Sequence, residues 1–151
     1  MASRRKGRIL AFQALYSWEA AGGESGEPSV SGDLLDFSWL EKVPDKGVSD
    51  FSRLLVRGTI ENITLVDAMI RSHLKNWDFS RLNRVDLAVL RMSTYTLMFQ
   101  DDVPPTIVID EAIGISKEFG TDDSYRFING VLDNIRKTIQ QEKTAVNGLA
   151  K

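Results

Sequence analysis

Cysteine is absent from the 151 residues, and histidine occurs once, as His73. Without a thiol there is no disulfide, no thiolate zinc site and no cysteine nucleophile. A single imidazole excludes histidine-pair metal motifs, and no phosphate-cradling G-x-x-x-x-G-K occurs. Long apolar runs are missing as well. Nothing approaches the roughly 20 residues that a helix needs to cross a bilayer. The chain also does not open like a secretory signal, which requires about 7 to 15 apolar residues after a basic start. Here Ile9 and Leu10 soon give way to Gln13, Ser17 and Glu19. An intracellular, cytoplasmic protein with no membrane attachment and no cofactor is expected.

What is present is an ordinary globular composition, 42% apolar and 26% charged, on a chain long enough to bury a core. The charge is unevenly placed. Net charge is −2, yet "SRRKGR" holds four cations, Arg4, Arg5, Lys6 and Arg8, before any acidic residue, which leaves the remainder at −6.

Periodicity predicts an all-α fold. Residues 4–21 read as a helix ended by Gly22 and Gly23, with Ile9, Ala11, Phe12, Leu15 and Trp18 on one broad arc and Lys6, Gln13 and Ser17 opposite. Tyr16 sits beside Ile9 at the edge of the polar stripe. Arg8 and Glu19 interrupt the apolar arc, so the helix ends are expected to be exposed. Residues 22–32 read as a glycine- and serine-rich loop, and Asp33 as the cap of a short helix carrying Leu34, Leu35, Phe37 and Leu40. A helical stretch, 48–77, is expected to break near Gly58 or Asn62. Residues 85–99 are apolar nearly all round and read as a buried central helix. Pro104 and Pro105 stop it. A helix ending at Gly120 follows, then a last one through about Gln141, capped from "TDDS". Only "TIVI", 106–109, looks strand-like, and four residues cannot make a sheet alone.

Catalytic constellations are absent. Asp110 and Glu111 are adjacent on a helix, and their plain reading is an acidic first turn that complements the helix dipole. The pairs Asp101–Asp102 and Asp122–Asp123 suit turns and caps better than a metal site. Arg91, inside the apolar helix, must reach water or a carboxylate, and a structural salt bridge is the default. The basic block is either a solvated tail or an anchor. It runs directly into a helix carrying Gln13 and Tyr16, and cations beside an aromatic face suit single-stranded nucleic acid.

Three stretches, "ILAFQALYSWE", "VDLAVLRMSTYTLMFQDDVPPTIVIDEAIGISKEFG" and "DDSYRFINGVLDNI", together resemble the NusB family of bacterial transcription antitermination factors. The likeness covers most of the chain and is weakest over residues 22–46. It implies two helical lobes (about 1–77 and 78–141, with a polar tail at 142–151) and no catalysis. It also implies binding of boxA RNA in ribosomal RNA transcripts together with NusE, a small-subunit ribosomal protein, on RNA polymerase. Mapped residue by residue, the family's basic arm falls on Arg4, Arg5, Lys6 and Arg8, and its RNA-facing aromatics on Tyr16 and Phe127. Gln13 and Asp123 join the same surface. Phe127 as plain core and Asp123 as a cap are the competing readings. Asn129 and Gly130 are expected to allow close helix approach. Asp86, expected on a narrow polar strip with Ser93, maps to the NusE contact. Homodimerisation occurs among relatives and stays open here. A protein-binding adaptor without RNA activity is the alternative. The helical domain also resembles the RNA-binding part of ribosomal RNA cytosine methyltransferases, but their chemistry needs the missing cysteine.

Overall fold

The computed structural model describes residues 2–22, 37, 40, 44–76 and 78–149. Helices carry all of the regular structure among them: α1 (Ala2–Ala20), α2 (Lys46–Glu61), α3 (Ile63–Arg71), a 3-10 turn (Phe79–Arg81), α4 (Arg84–Phe99), α5 (Pro105–Phe119) and α6 (Ser124–Leu149). The all-α expectation holds. The loop beyond Gly22 and the helix expected from Asp33 lie outside the described residues, apart from Phe37 and Leu40, and so does Trp77.

α1 closes where expected. Gly22 adopts φ 99°, a left-handed conformation that favours glycine, and its N–H donates to the Glu19 carbonyl at 3.0 Å. At the other end α1 lies tightly on α2. A Cβ on Gly7 would come within 2.9 Å of the Phe51 ring, and Ser52 Oγ donates to the Gly7 carbonyl at 2.8 Å.

The break after α2 falls at Asn62, whose backbone (φ −110°, ψ 19°) leaves the helix while its Nδ2 donates to the Gly58 carbonyl at 2.8 Å. Gly58 itself stays helical. Its lack of a side chain serves packing, because a Cβ there would overlap the Tyr95 ring and hydroxyl. α3 ends at Arg71, short of the expected residue 77. Ser72 Oγ and His73 Nδ1 each meet the Met69 carbonyl at 2.8 Å, occupying an acceptor that another turn would have used. His73 Nε2 also reaches Thr138 Oγ1 at 2.7 Å, tying the end of α3 to α6.

"TIVI" is helical. Pro105 occupies the first turn, where its fixed φ suits a helix start, and Val108, Ile109, Ala112 and Ile115 turn inward. α6 continues past Gln141 to Leu149, so the residues expected as a polar tail extend the helix; Lys143 Nζ pairs there with Asp101 Oδ1 at 2.6 Å.

α4 is the central element, packed against α1, α2, α3, α5 and α6, and buried apolar residues from all six helices form one cluster around it. Arg91 of α4 reaches Asp67 of α3 through two parallel bonds, Nε to Oδ1 and Nη2 to Oδ2, each 2.9 Å. The guanidinium also lies 5.5 Å from the Trp18 ring centroid and 5.7 Å from that of Phe79. The expected structural salt bridge is therefore present, fully inside.

Candidate nucleic-acid interface

The interface is built on the outer face of α1. Arg5, Ile9, Gln13 and Tyr16 follow an i, i+4, i+8, i+11 spacing and so share one stripe. Arg5 is exposed, Ile9 and Gln13 are half-buried, and Tyr16 is 38% exposed. Helix α5 forms the neighbouring wall. The Arg5 guanidinium lies over Gly114, where a Cβ would come within 3.0 Å of its Nη2. Further along, the Phe12 and Phe119 rings pack with centroids 5.2 Å apart. Between the walls is a groove of about 380 Å³ lined by Phe12, Gln13, Tyr16, Ser17, Val85 and Phe119.

Beyond Phe119 the chain turns at Gly120, and Ser124 Oγ accepts from the Thr121 N–H at 3.0 Å to close the turn into α6. The capping side chain from "TDDS" is thus Ser124. Asp123 is exposed, and its backbone carbonyl receives the Phe127 N–H. Phe127 is half-buried and packs on the core. Asn129 and Gly130 are both exposed. A Cβ on Gly130 would meet nothing within 4 Å, so the expected close helix approach does not exist at this position.

Two expectations for charged residues fail. Arg8 is only 5% exposed, and its guanidinium lies 5.6 Å from the Phe51 ring centroid. Burial lowers its pKa, the charge of Glu111 works in the opposite sense, and Arg4 adds to the lowering. Arg8 belongs to the face of α1 that carries Phe12 and Leu15, one and two turns on, so it faces inward while Arg4, Arg5 and Lys6 stay exposed. Lys6 itself lines a separate groove with Ile9, Leu10, Leu40, Pro44, Asp45 and Val48, away from Tyr16.

Asp86 is 7% exposed and Ser93 3%, so the narrow polar strip expected on α4 is buried. At its start α4 is closed by a cap. Asn83 Oδ1 accepts from the Asp86 N–H at 2.8 Å, and Asn83 Nδ2 donates to Asp86 Oδ2 at 3.1 Å. The second oxygen, Oδ1, is buried and makes no hydrogen bond among the described residues. Beside it Arg84 pairs with Glu19 at 3.2 Å, and Val85 lines the Tyr16 groove.

Sequence reasoning missed a basic and aromatic cluster where the end of α5 meets the start of α6. Lys117 Nζ lies 4.9 Å from the Tyr125 ring centroid and the Arg126 guanidinium 5.5 Å from it, while Arg126 Nε donates to the Tyr125 hydroxyl at 3.0 Å. That bond raises the Arg126 pKa, with the Tyr125 and Asp123 charges acting the same way. Phe119 is 36% exposed at the groove. The available signal was local: a cation next to or near an aromatic in both "KEF" and "SYRF". Among the described residues no group of three or more His, Cys, Asp or Glu side chains can hold a metal ion, and no helix is long and apolar enough to cross a membrane.

Fold and surface together define an all-helical scaffold that presents cations and aromatics along one helix and the turn beside it. The NusB family model matches residues 5–137, and the chain belongs to the NusB family. It is 52% identical over 137 residues to the transcription antitermination protein NusB of Treponema pallidum (strain Nichols), covering 89% of this chain and 93% of that one. A solved T. maritima NusB is 38% identical with a TM-score of 0.76, covering 89% of this chain and 90% of the other. A chain from a crystal structure of antitermination factors NusB and NusE in complex with double-stranded RNA is 26% identical with a TM-score of 0.75, covering 91% of this chain and 98% of that one.

Proposed function

We propose that this chain is a cytoplasmic transcription antitermination factor that acts by binding and not by catalysis. With NusE it holds single-stranded boxA-type RNA of ribosomal RNA transcripts and helps RNA polymerase resist termination. The observation that carries this reading is the exposed Tyr16, which shares one stripe of α1 with Arg5 and Gln13 and lines a groove with Phe12 and Phe119. Cations there meet phosphates, and a flat ring beside them accepts an unstacked base. Gln13, Asp123 and the accessible part of Phe127 complete the surface, and Arg4 and Lys6 extend it toward the start of α1.

The test is a titration of boxA-like, scrambled and double-stranded RNA, each with and without NusE. The expected result is a preference for single-stranded boxA-like RNA that NusE strengthens. Equal binding of all three would reduce the surface to a general polyanion site. No RNA binding in any mixture would leave a protein-binding adaptor.

Asp86 is assigned to the NusE side of the assembly. Its acidic side chain at the start of α4 suits a basic ribosomal protein, acting through charge because the carboxylate itself is enclosed. Because Asp86 is buried in the cap, lysine there would disturb the helix start, and asparagine is the cleaner substitution. Asp86→Asn is expected to weaken NusE binding by about 1 kcal/mol or more, roughly fivefold. RNA binding by the isolated chain should stay unchanged. Unaltered NusE affinity in a folded variant would place the partner surface elsewhere.

A further inference from the structure

Gly7, Gly58 and Gly114 each answer to a neighbour in the same chain, since a Cβ there would press on Phe51, Tyr95 and Arg5 respectively. Gly47 and Gly148 are open but sit at helix ends. Gly130 is different. It lies well inside α6, is exposed, and has no described residue within 4 Å of where its Cβ would stand. Its φ is not positive either, because among the described glycines Gly22 alone is of that kind. Glycine is the worst helix former after proline, so Gly130 weakens α6 without serving packing or backbone geometry among the described residues. The use that remains is close approach by something outside the chain.

On a helix of 3.6 residues per turn, Gly130 falls between Arg126 and Lys137 on one side and Phe127 and Asn134 on the other. Arg126, Asn134 and Lys137 are exposed, and Phe127 is half-buried. The missing side chain thus leaves a shallow notch between a cationic row and an aromatic residue. From Asp123 to Lys137 three cations are set against two carboxylates, on a chain whose net charge is −2. One of those carboxylates, Asp133, is already held by Arg136 at 2.8 Å and Lys137 at 3.3 Å. The other, the exposed Asp123, lies on the Phe127 side, where it repels phosphates and leaves that side to a base. We propose that this face of α6 is a subsite for the sugar–phosphate backbone of RNA: the strand lies against the bare helix at Gly130, its phosphates toward Arg126 and Lys137 and a base toward Phe127. This rests on the RNA-binding reading given above and carries the strand along α6.

The experiment titrates a short single-stranded boxA-like RNA into the full chain and into Gly130→Ala, Gly130→Leu, Arg126→Gln and Tyr16→Ala, with thermal melting on the same samples. Alanine and leucine favour a helix, so both Gly130 variants should melt about 2–4 °C higher. Both should nonetheless bind RNA more weakly. Leucine fills the notch and should weaken binding about tenfold, and alanine less. Arg126→Gln should flatten the log–log salt slope by about 0.7, the value of one phosphate contact on a single strand. Gained stability with lost affinity is a result that a purely structural glycine does not give. Unchanged RNA affinity in Gly130→Leu, or an unchanged slope in Arg126→Gln, while Tyr16→Ala still weakens binding, would overturn the subsite and leave the RNA-binding reading standing. Loss of NusE affinity in Gly130→Leu with RNA affinity intact would also overturn it and make the notch a protein contact. No RNA binding by the unsubstituted chain, alone or with NusE, would sink the reading itself and the subsite with it.

Discussion

Arg91→Met should cost the fold roughly 3–5 kcal/mol, because it leaves the Asp67 carboxylate charged, enclosed and without its bidentate partner. Asp67 is fully buried and Arg91 is 5% exposed, so water offers little replacement. Asp67→Leu should be comparably damaging for the converse reason, with a guanidinium stranded between Trp18 and Phe79. The double variant Asp67→Leu/Arg91→Met should recover most of the loss, since apolar groups of similar volume replace a buried pair at little net cost. Urea unfolding decides it: the single variants should shift the midpoint with an unchanged m-value. If the single variants are no less stable than the double, the pair does not hold α3 to α4.

On the proposed interface, Tyr16→Ala should lower affinity for single-stranded RNA by about 1–3 kcal/mol, the range for a base stacked on an aromatic. Tyr16→Phe keeps the ring and should retain most of the binding. Because Tyr16 is 38% exposed, the melting temperature should move little. Fluorescence anisotropy and thermal melting on the same samples separate the two effects. A melting temperature that falls in step with affinity would make Tyr16 a packing residue and remove it from the interface.

Much of the fold was legible because its determinants are local. Asn62 and Gly22 mark the helix boundaries they were read as marking, while Pro105, read as a stop for the central helix, opens α5. Arg91 had to find a carboxylate, and it did. The errors arose where a residue's environment depends on a distant partner. Arg8 looks like its exposed neighbours along the chain, but spacing to Phe12 and Leu15 puts it on the buried face, and the Phe51 ring it meets there comes from α2. Asp86 was read from the angular position of its side chain. The overlooked signal was N-x-x-D, which at a helix start turns the acidic side chain back onto the cap. Gly130 could not be judged from sequence at all, since small residues serve close packing and open surface equally well. The groove was half legible: Tyr16 and Gln13 were named, while Phe119 and Val85 required knowledge of which helices meet.

The Ser52 hydroxyl on the Gly7 carbonyl has a thermodynamic consequence for the cations around it. Residues 4–8 are already helical and docked on α2, so an incoming strand meets a surface with its backbone entropy already removed. An extended basic tail would lose roughly 1–2 kcal/mol per residue in becoming ordered on contact. Here that loss belongs to folding of the chain, and only side-chain torsions remain to be fixed when the ligand arrives. On the proposed interface the phosphates thus meet a ridge of fixed spacing, which discriminates by backbone shape in a way that a loose cationic tail does not.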